Sequence, residues 1–355
     1  MMGISMWRRW TMWGSMTLGL VAVALSGCGG IPDPPRPTPH PSPAEIAPRE
    51  LTPEPWAPPE ITAPRPAPPR LEWEPPAPAE GALATLIVRP AAGALPILET
   101  RGRADDREIP LVALSGGAYL GLVAAPLGAD GIRVEIDARL TDGTVTHVAR
   151  TIPVAPQQFD STVLRVASRF TAPDRPTLRR IQNERVLVRS MLRQTTDEVL
   201  WAGPFRRPIS GRTSSEFGQR RVFNGQLRSR HTGLDIAAVR GTPIYAANSG
   251  RVVLARSLFF TGNSVYVDHG LGLHTGYFHM SEIDVSQGEW VEKGQRLGLV
   301  GATGRVTGPH LHWGLYLQGI PLDPLSLLAP DIAQASERLA GSPEATSSAI
   351  FGARP

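Results

Sequence analysis

The clearest alternation in the chain runs from position 132 to 140. Ile132, Val134, Ile136, Ala138 and Leu140 alternate there with Arg133, Glu135, Asp137 and Arg139. A period of two puts the apolar set on one face, so the segment predicts a half-buried strand. Thr141-Asp-Gly-Thr144 predicts a hairpin turn, with the return strand over 145–154. Further apolar runs predict strands over 84–89, 109–114 and 163–170. Short strands between Gly-rich turns predict a small β-sandwich-like domain over 84–172, of immunoglobulin-like kind. The period then changes. Asp174-Arg-Pro-Thr177 reads as a helix start with Pro176 in the first turn. Leu178, Ile181, Val188, Met191 and Leu192 fall near one face, which predicts a helix over 176–193 inside a linking segment, 173–203. From 204 to 330 short strands between glycines return, at 242–247, 250–255, 263–269, 273–280, 296–301 and 310–317, and no helix of ordinary length fits. The expected class is therefore mainly β, ending in an antiparallel β-sheet domain and a tail over 331–355.

The N-terminal part has a different texture. Over 31–80, 19 of 50 residues are proline. Such a segment is short of backbone donors and is expected to be an extended polyproline spacer within 28–83. At ~3.1 Å per residue it reaches about 150 Å. Residues 1–27 combine Arg8-Arg9, an uncharged apolar run over 11–25 and small residues, the pattern of a secretory signal. Leu25-Ser-Gly-Cys28 resembles the lipobox of bacterial lipoproteins. That resemblance implies cleavage before Cys28, lipid on its sulfur and, with Gly29 following, an outer-membrane anchor facing the periplasm. An uncleaved membrane anchor is the competing reading, because the uncharged stretch is nearly long enough to span.

Composition narrows the chemistry. Cys28 is the only cysteine, which leaves no intrachain disulfide and no thiolate metal site. The net charge is +4, and Arg8 and Arg9 belong to the segment expected to be removed. The remaining mild basicity suits an anionic surface such as a cell wall or membrane, and is too weak to argue for nucleic acid.

Six of the eight histidines lie between His231 and His312. His310-Leu-His312 places two imidazoles on one face of a strand, with Leu311 and Trp313 on the other. Two imidazoles on one strand face make a poor core unless something binds them. His231-Thr-Gly-Leu-Asp235 offers an imidazole and a carboxylate that share a face in an extended segment, with Gly233 leaving room between them. His279 lies between the pairs. Imidazole and carboxylate are the ligands of a catalytic zinc that keeps one position open. His274 is an odd number of residues from His279, so in a continuous strand it faces away from the metal. His269 is expected to be a hydrogen-bonded strand-end residue, and His147 a surface residue.

These pairs resemble the zinc signature of lysostaphin/LytM-type metallopeptidases, which hydrolyse peptidoglycan cross-bridges. Ser215-Glu-Phe-Gly218, Arg220-Arg-Val-Phe-Asn-Gly225, Gly241-Thr-Pro243, Val267-Asp-His-Gly270, Tyr277-Phe-His279-Met, Gly301-Ala-Thr-Gly304 and Thr307-Gly-Pro-His-Leu-His312 also fit that family, and Met280 departs from its usual Leu. The resemblance implies one Zn2+ per chain on His231, Asp235 and His312, with His279 and His310 as catalytic, non-ligating imidazoles. It also implies a peptidoglycan endopeptidase acting on D-alanyl–diaminopimelate bonds. A non-catalytic LytM-type activator of a cell-wall amidase, or a zinc peptidase acting on another protein, are the alternatives. Members of the first class typically lack some ligands, and this chain has all of them.

Overall fold

The computed structural model describes residues 66–164, 173–223 and 226–340. The signal segment, Cys28, the Pro-rich stretch up to 65, most of the strand expected over 163–170 and residues 341–355 lie outside the described residues.

Two four-stranded sheets form the first half. One orders Arg70–Glu74, Leu83–Arg89, Tyr119–Ala124 and Val112–Ala113; the other orders Arg107–Ile109, Ile97–Ala104, Gly131–Leu140 and Val145–Pro153. Leu86, Val88 and Val123 of the first pack against Ile132, Ile136, Ala138 and Ile152 of the second in one core. The hairpin at Thr141–Thr144 is present. Arg139 faces Val145, and the Leu140 N–H donates to Thr144 O at 2.8 Å.

Two expectations change here. The Pro-rich spacer does not run to 83. Arg70-Leu-Glu-Trp-Glu alternates, Leu71 and Trp73 pack on the core, and the segment pairs as a strand with Leu83–Arg89. The surrounding prolines hid that short period. The strand expected over 109–114 is two strands in different sheets, broken at Pro110, which has no N–H to give a ladder.

Leu83–Arg89 is buried on both faces. Its outward side joins a second core with Leu234, Tyr277, Trp313, Leu315 and, from the helix Pro330–Ala340, Ile332, Ala335 and Leu339. Residues 331–340, read as part of a tail, thus belong to a helix seated in a core that joins the two β regions.

That second core backs a ten-stranded antiparallel sheet. Its central order is Thr213–Ser215, Leu234–Ala237, His310–Leu317, Leu273–Ile283, Gly262–Asp268, Gly250–Leu258 and Trp290–Val291. Leu311 and Trp313 are fully buried in the core, which leaves His310 and His312 to project from the opposite face. The helix Arg175–Leu192 covers part of that face. Asp174 caps it by accepting from the Thr177 N–H at 2.9 Å. Met191 and Leu192 pack on Leu254, Tyr266 and Phe278, and Glu184 accepts from the Phe259 N–H at 2.7 Å. Leu178, placed on the buried stripe by periodicity, is 44% exposed. Ser161–Leu164 adds in parallel to Arg220–Phe223, which pairs with Gln226–Arg230, and Thr162 and Arg221 line one cleft with His310.

Candidate functional site

The register of two strands builds the site. Asp235 and His312 are direct partners across the Leu234–Ala237 and His310–Leu317 strands, so their side chains leave the sheet on one side. His231, just before the first of these strands, folds back to meet them. Asp235 Oδ1 lies 2.7 Å from His312 Nδ1 and 3.0 Å from His231 Nε2, and the two nitrogens are 2.9 Å apart. All three residues are buried. His310 Nε2 stands 3.7 Å from the same oxygen. The His279 ring lies 5.0 Å from that of His310 and 5.9 Å from that of His312. The five residues singled out from the sequence therefore converge on one point.

Backbone carbonyls set the imidazole orientation. The Nδ1 atoms of His231, His279 and His310 lie 2.7, 2.8 and 2.9 Å from the carbonyls of Glu216, Thr303 and Gly308. A carbonyl only accepts, so each Nδ1 carries the proton and each Nε2 keeps a lone pair. His231 Nε2 then faces a carboxylate oxygen and another imidazole nitrogen. Three buried acceptor atoms share at most one proton, that on His312 Nδ1. A cation in their midst would satisfy all three, and two imidazoles with a carboxylate are a zinc donor set. The three donor atoms all lie within 4.8 Å of one another, so the residues present fit the ion.

Electrostatics agree with that reading. Burial, only partly offset by Asp235, lowers the His312 pKa to about 4. Burial, then the neighbouring His312 and His310, lowers that of His279 to about 3. Both are neutral near pH 7, as ligation or proton acceptance requires. Burial alone would raise the Asp235 pKa, but the adjoining His231 and His312 outweigh it and hold the carboxyl well below its ordinary value.

His279 reaches the site through a backbone irregularity. Its φ is +62°, in the left-handed region, and the pairing with Gly262–Asp268 shifts register around it. Such a bulge re-aims a side chain. It also overturns the parity argument for His274. Phe278 faces His312 and His274 faces Tyr316, so His274 leaves the sheet on the same side as His312. It is structural for another reason: it lies four residues further along the strand, fully buried, with Nδ1 on Gly272 O at 3.1 Å and Nε2 3.7 Å from Asp268. His269 is buried between Ser249 O and Thr275 Oγ1, at 2.7 and 2.8 Å. His147 is exposed and hydrogen-bonded to Asp137.

Sequence reasoning gave no role to Arg221. Its Nη2 donates to Asp235 Oδ2 at 2.9 Å, which turns Oδ1 toward the histidines. The Arg220-Arg-Val-Phe-Asn-Gly225 motif contained it, but nothing in that local pattern points across to Asp235. Gly233 has a steric role: a Cβ there would lie 2.5 Å from Trp313 O and 2.7 Å from His312 Nε2. The site opens into a cleft of about 320 Å³ lined by Ser215, Arg221, His279, Arg305, Pro309 and His310. A larger cavity of about 1050 Å³ lies between residues 99–111 and 193–197, with no histidine among its described lining residues.

Two imidazoles and a carboxylate, buried on a β-sheet beside a cleft with two further imidazoles, define a metallohydrolase-type site. The sequence pattern of Peptidase family M23 matches residues 229–324, and this part of the chain is a domain of that family. The chain is 43% identical over 120 residues to the peptidoglycan DD-endopeptidase ShyA of Vibrio cholerae, covering 34% of this chain and 28% of that protein. It is 39% identical over 128 residues to the DD-carboxypeptidase/endopeptidase Mpg of Neisseria meningitidis, covering 36% of this chain and 30% of that one. The chain thus spans less than a third of these relatives' length. A crystal structure of a Pseudomonas aeruginosa protein assigned to peptidase M23 is 27% identical with a TM-score of 0.53, covering 71% of this chain and 95% of that one. The likeness of fold therefore extends beyond the M23 domain itself.

Proposed function

We propose that this chain is a zinc-dependent endopeptidase that hydrolyses peptide cross-links of peptidoglycan, with D-alanyl–diaminopimelate bonds as its target. The observation that carries the reading is the buried His231–Asp235–His312 cluster with the Nε2 atoms of two more imidazoles beside it. The names of ShyA and Mpg support the substrate class. Zinc held by His231, Asp235 and His312 would supply Lewis acidity for amide hydrolysis. His279 and His310, each pinned by its Nδ1–H, offer Nε2 to the cleft. There they accept the proton of the attacking water and return it to the departing amine. As imidazolium, either donates to the tetrahedral oxyanion. The presence of the whole set disfavours the non-catalytic activator reading.

The location follows the same proposal. Lipid on Cys28 would hold the chain in the outer membrane facing the periplasm, and the Pro-rich stretch would let the catalytic domain reach the wall. The direct test incubates the protein with purified sacculi, with and without a chelator, and weighs the products. Loss of cross-linked muropeptides that stops with chelator and returns with zinc is the expected result. Zinc bound without cleavage would sink the peptidoglycan reading.

A further inference from the structure

The cleft beside the metal donors is walled by two guanidinium groups. Arg221 and Arg305 line it with His279 and His310, and among the described lining residues Asp235 is the only carboxylate. That carboxylate is already committed, with Oδ2 on Arg221 and Oδ1 facing the histidines. A divalent cation on the cluster would add two positive charges to two arginines against a single negative one. A narrow cleft of that balance concentrates anions.

Arg305 is held for such a task. Its guanidinium carbon sits 4.6 Å from the centroid of the Phe260 ring, and its backbone N–H donates to Phe260 O at 2.8 Å. Phe259, next to Phe260, is tied in turn to Glu184 of the Arg175–Leu192 helix. Burial, then the charges of Arg221 and Arg185, lowers the Arg305 pKa. A guanidinium stacked on an aromatic face presents its N–H fork in the plane of the group, the geometry that grips a carboxylate by two bonds.

We propose that Arg221 and Arg305 form a carboxylate-binding subsite that reads a free carboxylate of the stem peptide beside the scissile bond. The inference rests on the peptidoglycan reading above and deepens it: the subsite selects an acidic stem over an amidated one. Arg305 is the better probe, because Arg221 also orients Asp235.

The test uses the zinc-loaded full chain and two cross-linked muropeptide dimers, one with free stem carboxylates and one with them amidated. A lost charge-assisted hydrogen-bond pair is worth about tenfold to a hundredfold, so kcat/KM favours the free dimer by that factor, chiefly through KM. Arg305→Gln, with zinc content equal to the parent, brings the ratio toward one, and Arg305→Lys keeps part of it. A parent ratio near one, or an unchanged ratio in Arg305→Gln, overturns the proposal. Should that variant fail to fold, the parent ratio decides. If the parent cleaves neither dimer, the peptidoglycan reading fails by itself. Calorimetry of the full chain with monomeric tetrapeptide, free and amidated, then judges the subsite: tighter binding of the free form supports it, and equal binding overturns it.

Discussion

Asp235 and His312 face each other across an antiparallel strand pair, with Oδ1 and Nδ1 2.7 Å apart. The pairing register, not a loop, therefore sets this half of the donor set. A one-residue slip would turn either side chain to the other face of the sheet. The full burial of Leu311 and Trp313 behind the site fixes that register, because a slip would also pull both from the core. Packing energy thus holds Asp235 and His312 in place.

Ligand and non-ligand imidazoles should separate by metal content. His312→Ala removes a donor, and the protein is expected to lose zinc and activity together. His310→Ala leaves the three-donor cluster whole. It should keep its zinc and lose activity by about a hundredfold or more, the scale of a lost acid–base group. Metal content by mass spectrometry beside turnover on sacculi checks both. An empty site in His310→Ala would reverse the assignment.

Gly233 sits where a side chain would strike the site. A Cβ would come 2.5 Å from Trp313 O and 2.7 Å from His312 Nε2. The carbonyl belongs to a central strand and does not yield, so the strain passes to His312. Gly233→Ala should cost about 1–3 kcal/mol of stability and weaken zinc retention. Chemical denaturation and competition with a chromogenic chelator measure the two effects. Unchanged zinc affinity would show that His312 is not displaced.

Arg221 is expected to act through Asp235. Arg221→Ala frees Oδ2 and lets the carboxylate rotate away from the histidines. Loss of an outer partner of a metal ligand typically costs about tenfold to a hundredfold in metal affinity. Zinc competition reads this without reference to turnover, and parent-like affinity in the variant would remove the orienting role.

The site was more legible in the sequence than the way it is held together. His310 and His312 carry their spacing in local pattern, because period-two geometry fixes which side chains share a strand face, whereas His231 reaches Asp235 through the bend before the Leu234–Ala237 strand. The Gly131–Leu140 and Val145–Pro153 hairpin was legible for the same reason. Arg221 was not, since its partner is fourteen residues away on a different strand and one arginine among many carries no local signal. His274 misled because parity holds only in an unbroken strand, and the positive φ of His279 breaks it. The helix Pro330–Ala340 escaped notice because its burial depends on Leu83–Arg89, a partner some 250 residues earlier in the chain.

Membrane attachment has its own test. If Cys28 carries the lipid, Cys28→Ser should move the chain to the soluble fraction while leaving the catalytic domain's turnover intact. Fractionation of cells expressing each form checks this. Continued retention of the variant in membranes would favour an uncleaved anchor.

Acid should destabilise the metal-free protein through its buried histidines, and His269 gives the cleanest instance because it is no metal donor. Burial lowers its pKa from 6.5 to about 4, with the nearby His274 adding to the shift and Ser249 O opposing it. The unfolded chain therefore binds a proton at this position between those two values and the folded chain does not. The stability it supports is complete above pH 6.5, falls as the pH drops toward 4, and levels off below. A shift of that size corresponds to on the order of 3 kcal/mol. His279 and His312, lowered to about 3 and 4, act in the same direction. Urea midpoints of the chelated protein from pH 7.5 to 3.5 should trace the fall. His269→Gln keeps a donor for Ser249 O and a polar atom beside Thr275 Oγ1 but has no proton to gain, so its profile should be flatter across the same window. A variant profile parallel to the parent's would mean that His269 does not contribute to acid sensitivity.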